Sequence, residues 1–305
     1  MKFLLFADLH QGPGFPLYYK SPENDPLTII QKHAEEAGCE MILHAGDFCH
    51  RPKELVDYIN RYNNFHIPSY HCLGNHDMDR ATLDETLEIY KMPKDYYYFD
   101  QGGYRFIITN ASYILEEDGT YTPFSNGNYF ETKGRRFIIP PFEVEWIRET
   151  IASSEYPCIL VNHFSFVRQC SIINRCEIQE IIDEANERKP YSVLMCINGH
   201  YHRDFMMVLN NVIHYDVPSP SHDWIGIPHD KYPKEECDKI LNLSRLVVLD
   251  KPLHVIVNIE GTTVTVEGMK GEYYMGVDHK AIGADSHDGD GIPMYPHAQS
   301  FKVTV

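Results

Sequence analysis

Short apolar runs alternate with amphipathic segments along the first part of the chain. Runs suited to buried strands lie at residues 3–7, 41–45 and 67–72. Helices are predicted between them, one from the Asp25–Pro26 cap to Gly38 and one from Pro52. This alternation predicts a parallel sheet covered by helices, with functional residues gathered at the carboxyl ends of its strands.

The second part of the chain is richer in strands. Further strands and hairpins are predicted at residues 96–108, 158–161, 193–197, 205–215 and 254–266. Together they predict a second sheet. The polar, glycine-containing residues 115–135 are predicted to form a long surface loop.

No linker long enough to mark a domain boundary is visible before the C-terminal end of the chain. Residues 1–270 are therefore predicted to form one domain. Residues 271–305 are rich in Gly, His and Asp, which predicts a loose tail or extension.

Composition narrows the class of protein. The chain has 305 residues, of which 43% are hydrophobic, so it can fill a substantial core. Its formal net charge is -17, which predicts no broad basic surface and argues against binding nucleic acid duplexes through their phosphates. A phosphate-bearing substrate is still compatible with this charge, because bound metal ions supply local positive charge.

The sequence indicates a cytoplasmic protein that does not contact a membrane. The first eight residues are too short and too soon acidic for a signal peptide, and no run is long and apolar enough to span a bilayer. The eight cysteines are scattered without a Cys-x-x-Cys pair, which favours reduced, mostly buried thiols over disulfides or a zinc site.

Polar residues with metal-binding side chains follow the predicted strands. They are Asp8, His10, Asp47, Asn75, His163, His200 and His202. Two carboxylates, one amide and four imidazoles are about the number of ligands that two metal ions need, and this mixture suits Mn, Fe, Zn or Co better than Ca or Mg alone. Asp47 is the candidate bridge, because its strand is expected between the others.

Five blocks of residues carry a resemblance to a known family. In order, they are Asp8-x-His10, Gly46-Asp47, Gly74-Asn75-His76-Asp77, Asn162-His163 and Gly199-His200-x-His202. As a set they resemble the calcineurin-like metallophosphoesterase superfamily over about residues 3–216. The resemblance implies an α/β (α+β) fold, a four-layer αββα sandwich of two mixed β-sheets flanked by helices. Residues 1–270 would then be the catalytic domain.

The resemblance also assigns roles to the matching residues. Asp8, His10 and His202 would bind one metal ion, while Asn75, His163 and His200 would bind the other, with Asp47 bridging the two. His76 would act as the catalytic acid at the leaving group or contact a phosphoryl oxygen. Asp77 would orient the His76 ring.

The resemblance implies a hydrolase with two divalent or trivalent metal ions, Mn, Fe or Zn. A hydroxide bridging the metals would attack a small phosphodiester or phosphomonoester, with a nucleotide among the candidates. A second hypothesis is a Mn-dependent DNA exo- or endonuclease of the same superfamily, against which the acidic charge argues. A third hypothesis is a non-catalytic scaffold, against which the full set of ligand residues argues.

Fewer residues suggest how a substrate is recognised. Gly46-Asp47-x-x-His50-Arg51 resembles the Gly-Asp-x-x-Asp-Arg block of protein Ser/Thr phosphatases, with His50 in place of the second Asp. Arg51 is a candidate phosphate clamp, and Asn75 and Tyr201 are further candidates for substrate contact. Aromatic residues able to stack on a base in the loops after the strands are Phe15, Tyr18, Tyr19, Phe164, Tyr201 and Trp224.

Overall fold

The computed structural model describes residues 1–169 and 171–305. The strands in these residues are β1 (Lys2–Phe6), β2 (Met41–Ala45), β3 (Ser69–Cys72), β4 (Tyr97–Gln101), β5 (Tyr104–Ile108), β6 (Tyr113–Leu115), β7 (Tyr121–Pro123), β8 (Arg135–Arg136), β9 (Cys158–Val161), β10 (Val193–Asn198), β11 (Phe205–Leu209), β12 (Val212–Asp216), β13 (His222–Trp224), β14 (Leu246–Val248), β15 (Val255–Glu260), β16 (Thr263–Glu267) and β17 (Phe301–Thr304).

Helices connect many of these strands. The α-helices are α1 (Pro26–Glu36), α2 (Val56–Asn63), α3 (Leu83–Tyr90), α4 (Pro141–Ala152), α5 (Arg175–Arg188), α6 (Lys234–Lys239) and α7 (His279–Ile282). Short 3₁₀ turns lie at Pro16–Tyr19, Pro22–Asn24, Pro52–Glu54, His76–Met78, Asn128–Phe130, Leu243–Arg245 and Tyr274–Gly276. As predicted, Asp25 caps α1, its carboxylate accepting the Thr28 N–H at 2.9 Å. None of the helices in the described residues has the length and apolar character needed to span a bilayer.

Two six-stranded mixed sheets form the centre of the fold. The first has the order β17-β16-β15-β1-β2-β3, with β1, β2 and β3 parallel and the other neighbours antiparallel. The second has the order β11-β12-β10-β9-β5-β4, with β5, β9, β10 and β12 parallel. Two small sheets, β13-β14 and β7-β6-β8, lie outside them.

The packing confirms the predicted αββα layers. Alternate residues of β1 face opposite ways, so Phe3 and Leu5 enter the core between the two sheets, whereas Leu4 and Phe6 enter the core beneath α1 and α2. A third core packs α4 and α5 against the second sheet. Fully burying such a side chain stabilises the fold by roughly 1.5–3 kcal/mol, so these three cores hold the sheets and helices together.

Two sequence predictions about loops are wrong. Residues 115–135 are not one open loop, because β7 and β8 pair with β6 in a small sheet. Residues 271–305 are not a loose tail, because β17 adds to the first sheet beside β16 and Met294 is buried. The tail contains few apolar residues, but they alternate correctly for an edge strand, and this pattern outweighs the Gly- and Asp-rich composition around it.

The described cysteines are free thiols, as predicted. Five of the seven described cysteines are buried. Cys170 lies outside the described residues.

Candidate metal centre

The predicted ligands lie in strained loops where the strands end. Asp8, His10 and Asp47 have φ of 53°, 48° and 58°, in the left-handed region that non-glycine residues rarely adopt. His200 and His202 share this conformation, with φ of 71° and 58°. Each such residue costs roughly 1–3 kcal/mol, and this strain is typical of functional sites. Backbone bonds hold the loops together, with Asp8 N–H donating to Gly46 O at 2.8 Å.

One group of donors surrounds His10. Its Nε2 lies 3.0 Å from His202 Nε2, and His202 Nε2 lies 3.4 Å from Asp8 Oδ1. Asp47 Oδ2 lies 4.0 Å from His10 Nε2. All four residues are buried, so their nitrogen and oxygen donors face one another away from bulk water.

A second group shares Asp47. Its Oδ2 lies 3.0 Å from His163 Nε2, and donor atoms of Asp47, His163 and His200 all lie within 4.8 Å of one another. Asn75 is buried, and its Oδ1 has no hydrogen-bond partner among the described residues, while its Nδ2 donates to Tyr129 Oη at 3.2 Å. A buried oxygen without a partner destabilises the fold, so the free Oδ1 of Asn75 is suited to bind a cation.

Two of the predicted ligand rings, those of His163 and His202, bond through their second nitrogen to backbone carbonyl groups. His163 Nδ1 lies 2.9 Å from Ala45 O, and His202 Nδ1 bonds to His222 O. Metal-binding histidines usually use their second nitrogen in this way. The backbone N–H of His200 donates to the carboxylate of Asp8, which ties the loop after β10 to the loop after β1.

The electrostatics of the cluster also suit a cation. Burial, with neighbouring imidazoles, lowers the pKa of His10 and of His200 well below the usual value, so both rings are neutral and able to bind metal. Burial alone would raise the pKa of Asp47, but His163 and His76 hold it well below its usual range. Burial also opposes protonation of His163, but Asp47 raises its pKa to about 9. The donor set therefore fits two transition-metal ions.

His76 has a different partner from the predicted one. Its Nδ1 lies 2.8 Å from Asp79 Oδ2, and Asp79 Oδ1 accepts the Tyr129 hydroxyl at 2.6 Å. The prediction that Asp77 orients the His76 ring is wrong. A 3₁₀ turn has three residues per turn, so residues three apart lie on the same side, which places Asp79 and not Asp77 beside His76.

Asp77 instead supports the loop that carries Asp47. Its buried carboxylate accepts backbone N–H groups of Asp47 at 3.0 Å and Gly74 at 2.8 Å, and the hydroxyl of Tyr90 at 2.7 Å. It therefore joins the loops after β2 and β3. Its contacts fix the loops that carry the predicted ligands and do not reach the His76 ring.

His50 belongs to the site, although no motif predicts a role for it. Its Nδ1 lies 2.8 Å from Asp79 Oδ2, and its Nε2 lies 2.8 Å from His10 Nδ1. The sequence signal that could have indicated this role is its position in the Gly-Asp-x-x-His-Arg block, where the phosphatase block has an Asp. Arg51, the predicted phosphate clamp, is exposed, and its guanidinium pairs with Glu54 at 3.1 Å.

Two cavities lie beside the cluster. The Phe130 cavity, of about 680 Å³, is lined by Asp79, Arg80, Asn126, Phe130, Glu131 and Thr132 among others. The Trp224 cavity, of about 590 Å³, is lined by His200, Tyr201, His202, Trp224, Ile227 and Asp285 among others. Exposed aromatic surface is present in both, since Phe130 is 59% and Trp224 41% exposed.

The other aromatic residues predicted to stack on a base differ in their exposure. The ring of Phe15 is buried and stacks on His50 with 4.2 Å between centroids, and Phe164 is fully buried beside His200. The ring of Tyr201 contacts the Arg168 guanidinium and lines the Trp224 cavity. The side chains of Tyr18 and Tyr19 lie outside the described part of the structure.

Comparison with known proteins places this arrangement in a family. The family model of calcineurin-like phosphoesterases matches residues 1–204. A manganese-dependent ADP-ribose/CDP-alcohol diphosphatase of Arabidopsis thaliana is 22% identical over an alignment of 260 residues, and the match covers 69% of this chain and 81% of that protein.

Solved structures share the fold at low identity. A dimetal phosphatase from Danio rerio superposes with a TM-score of 0.58 at 12% identity, covering 89% of this chain and 95% of that one. GAP50, the anchor in the inner membrane complex of Plasmodium, has a TM-score of 0.50 at 11% identity, covering 100% of this chain and 89% of that one. The family match spans the five strand ends from Asp8 to His202, so this chain belongs to the calcineurin-like phosphoesterase family and is a metal-dependent phosphoester hydrolase.

Proposed function

We propose that this protein uses two metal ions to hydrolyse a small phosphodiester or phosphoanhydride of the nucleotide type. The observation that carries the proposal is the convergence of carboxylate and imidazole donors on Asp47, which lies in both donor groups. Asp8, His10 and His202 would hold one ion, and Asn75, His163 and His200 the other. Bound divalent ions would activate water near neutral pH and neutralise phosphoryl oxygens.

His76 would donate the proton to the leaving oxygen. Its side chain is 20% exposed, unlike the fully buried ligands Asp8 and His163, so its ring can reach a bound substrate. Asp79 fixes the ring through Nδ1, which leaves Nε2 to face the leaving group. Burial opposes protonation of this ring, but Asp47 and Asp79 raise its pKa above the usual value, which favours the protonated form that a general acid needs.

The cavities support a substrate with an organic group on each side of the scissile phosphate. The Phe130 cavity begins at Asp79, beside the proposed acid, and suits the leaving group. The Trp224 cavity begins at His200 and His202 and suits the other group. Stacking of a base on an aromatic ring is worth roughly 1–3 kcal/mol. The name of the Arabidopsis relative, a diphosphatase of ADP-ribose and CDP-alcohols, agrees with a substrate of this shape.

A substrate panel tests the proposal. Metal-free protein is loaded with Mn²⁺ and assayed on bis(p-nitrophenyl) phosphate, p-nitrophenyl phosphate, ADP-ribose, a CDP-alcohol, a cyclic nucleotide and DNA. We expect hydrolysis of the diester and of at least one nucleotide diphosphate, in preference to the monoester and DNA. Release of nucleotides from DNA at a higher rate would replace the proposal with a nuclease.

Two variants connect the activity to the site. Asp47→Ala should bind at least one metal ion fewer per chain, and His76→Ala should keep both ions and lose most of kcat. The control is His66→Ala, since this exposed histidine lies away from the centre. Two ions per chain in Asp47→Ala, or unchanged turnover of an alkyl ester by His76→Ala, would contradict the assigned roles.

A further inference from the structure

A third histidine ring lies against the first group of donors, beside His10 and His202. His222 is the first residue of β13, which pairs with β14 through His222 and Val248. This strand lies beyond residue 204, where the family match ends, so the shared motifs assign it no role. Its side chain is fully buried although it is polar.

The ring of His222 is positioned like a ligand. Its centroid is 5.1 Å from that of His10 and 5.2 Å from that of His202, and donor nitrogens of the three rings all lie within 4.8 Å of one another. His222 Nε2 is buried and has no hydrogen-bond partner among the described residues. A buried nitrogen without a partner is unfavourable unless a ligand occupies the space that it faces.

The loop before β13 is built to hold this ring. The Ser219 hydroxyl donates to Asp8 O at 3.0 Å and accepts the Ser221 N–H at 3.0 Å, and Ser221 Oγ lies 2.7 Å from His222 Nδ1. Residues 219–222 are therefore fixed to the backbone of a predicted ligand. The carbonyl of His222 bonds to His202 Nδ1, so one residue both orients a ligand and presents its own ring.

We propose that His222 is a further ligand of the metal ion held by Asp8, His10 and His202. The inference rests on the proposed two-metal function. A third imidazole makes this site richer in nitrogen than the site of Asn75, His163 and His200. Nitrogen donors favour Zn, Fe, Co and Mn over Mg and Ca, so the two sites differ in the metal that they prefer.

The test measures metal binding directly. Full-length protein is stripped of metal and titrated with Co²⁺, with binding followed by visible absorption and metal content by elemental analysis. In His222→Ala we expect one of two ions to bind roughly 10–100-fold more weakly, the range that perturbing the surroundings of a metal ligand produces. The visible absorption of the weakly bound Co²⁺ should change, and added imidazole should restore the wild-type spectrum. His222→Phe, which keeps a ring but lacks the nitrogen, should show the loss without rescue.

The matched control is His254→Ala. This histidine is equally buried but bonds to His33, at 2.7 Å, and lies outside the donor groups. Its variant should keep both affinities and the wild-type spectrum.

The outcomes separate this inference from the proposed function. Wild-type protein that binds fewer than two ions would overturn both. Two ions in the wild type, with unchanged affinity and spectrum in both His222 variants, would overturn the ligand role alone. An increased KM in those variants with unchanged metal binding would also overturn it and would place His222 against the substrate.

Discussion

Replacing Asp79 with Asn isolates the orientation of the proposed acid. Asp79 Oδ2 lies 2.8 Å from His76 Nδ1, and its charge is one of two that raise the pKa of His76 against the effect of burial. The substitution keeps the size of the side chain and removes the charge. The imidazolium should therefore lose its proton at lower pH, and its ring should be less firmly held.

The expected magnitude follows from that one bond. A hydrogen bond to a charged group contributes about 1.5–3 kcal/mol. A pKa change of one unit corresponds to 1.36 kcal/mol, so we expect kcat to fall by roughly 10–100-fold on a substrate that needs the acid. In the proposed mechanism protonated His76 is the active form, so activity should be lost as pH rises through its pKa. In Asp79→Asn this loss should begin at a lower pH.

A pair of esters distinguishes acid catalysis from general damage. Alkyl and p-nitrophenyl esters of the same phosphodiester are compared, because p-nitrophenolate leaves readily without a proton. Asp79→Asn should lose activity mainly on the alkyl ester and keep its metal content, and Asp57→Asn, on the exposed face of α2, should behave like the wild type. Equal losses on both esters, or loss of a metal ion, would refute the reasoning.

Three other changes test the supporting structure. In Gly74→Ala the new Cβ would lie 2.2 Å from Asp47 Oδ1, so metal content measured by elemental analysis should fall. Burial raises the pKa of Glu143 well above 4.5. Its contribution to stability is therefore complete below pH 4.5 and is lost as pH rises through the raised pKa. In Glu143→Gln this decrease of Tm with rising pH should be smaller. Arg168→Met leaves the buried carboxylate of Asp216 and the half-buried carboxylate of Asp290 unpaired. It should reduce the free energy of unfolding in urea by about 3 kcal/mol or more, while the exposed Arg51→Met should change it little.

The convergence of the predicted ligands could be read from the sequence because each of them follows an apolar run. Parallel strands end at one edge of a sheet, so polar residues after β1, β2 and β3 had to meet there. Pairing between strands distant in sequence brings in His163 and His200 from the second sheet. The known order of the motifs supplied this information, because apolar patterns alone do not reveal the register between two sheets.

The partner of His76 could not be read from adjacency in the sequence. Asp77 and Asp79 are both close to it along the chain, and only the 3₁₀ turn decides which carboxylate faces the ring. His50 was overlooked for a related reason. Its ring joins Asp79 to His10, residues 29 and 40 positions away, and no local pattern predicts such a contact.

The C-terminal segment connects the family's motifs to features that the motifs do not include. Arg168, five residues after His163, is buried and pairs with Asp288 and Asp290, and its guanidinium lies 4.2 Å from the centre of the Tyr201 ring. The segment therefore braces two ligand-bearing loops at once and also lines the Trp224 cavity through Asp285. A substrate group in that cavity would contact residues beyond the family match. If the proposed substrate occupies the Trp224 cavity, the motifs would specify the hydrolysis of a phosphoester, and the segment after residue 204 would help to determine which ester is accepted.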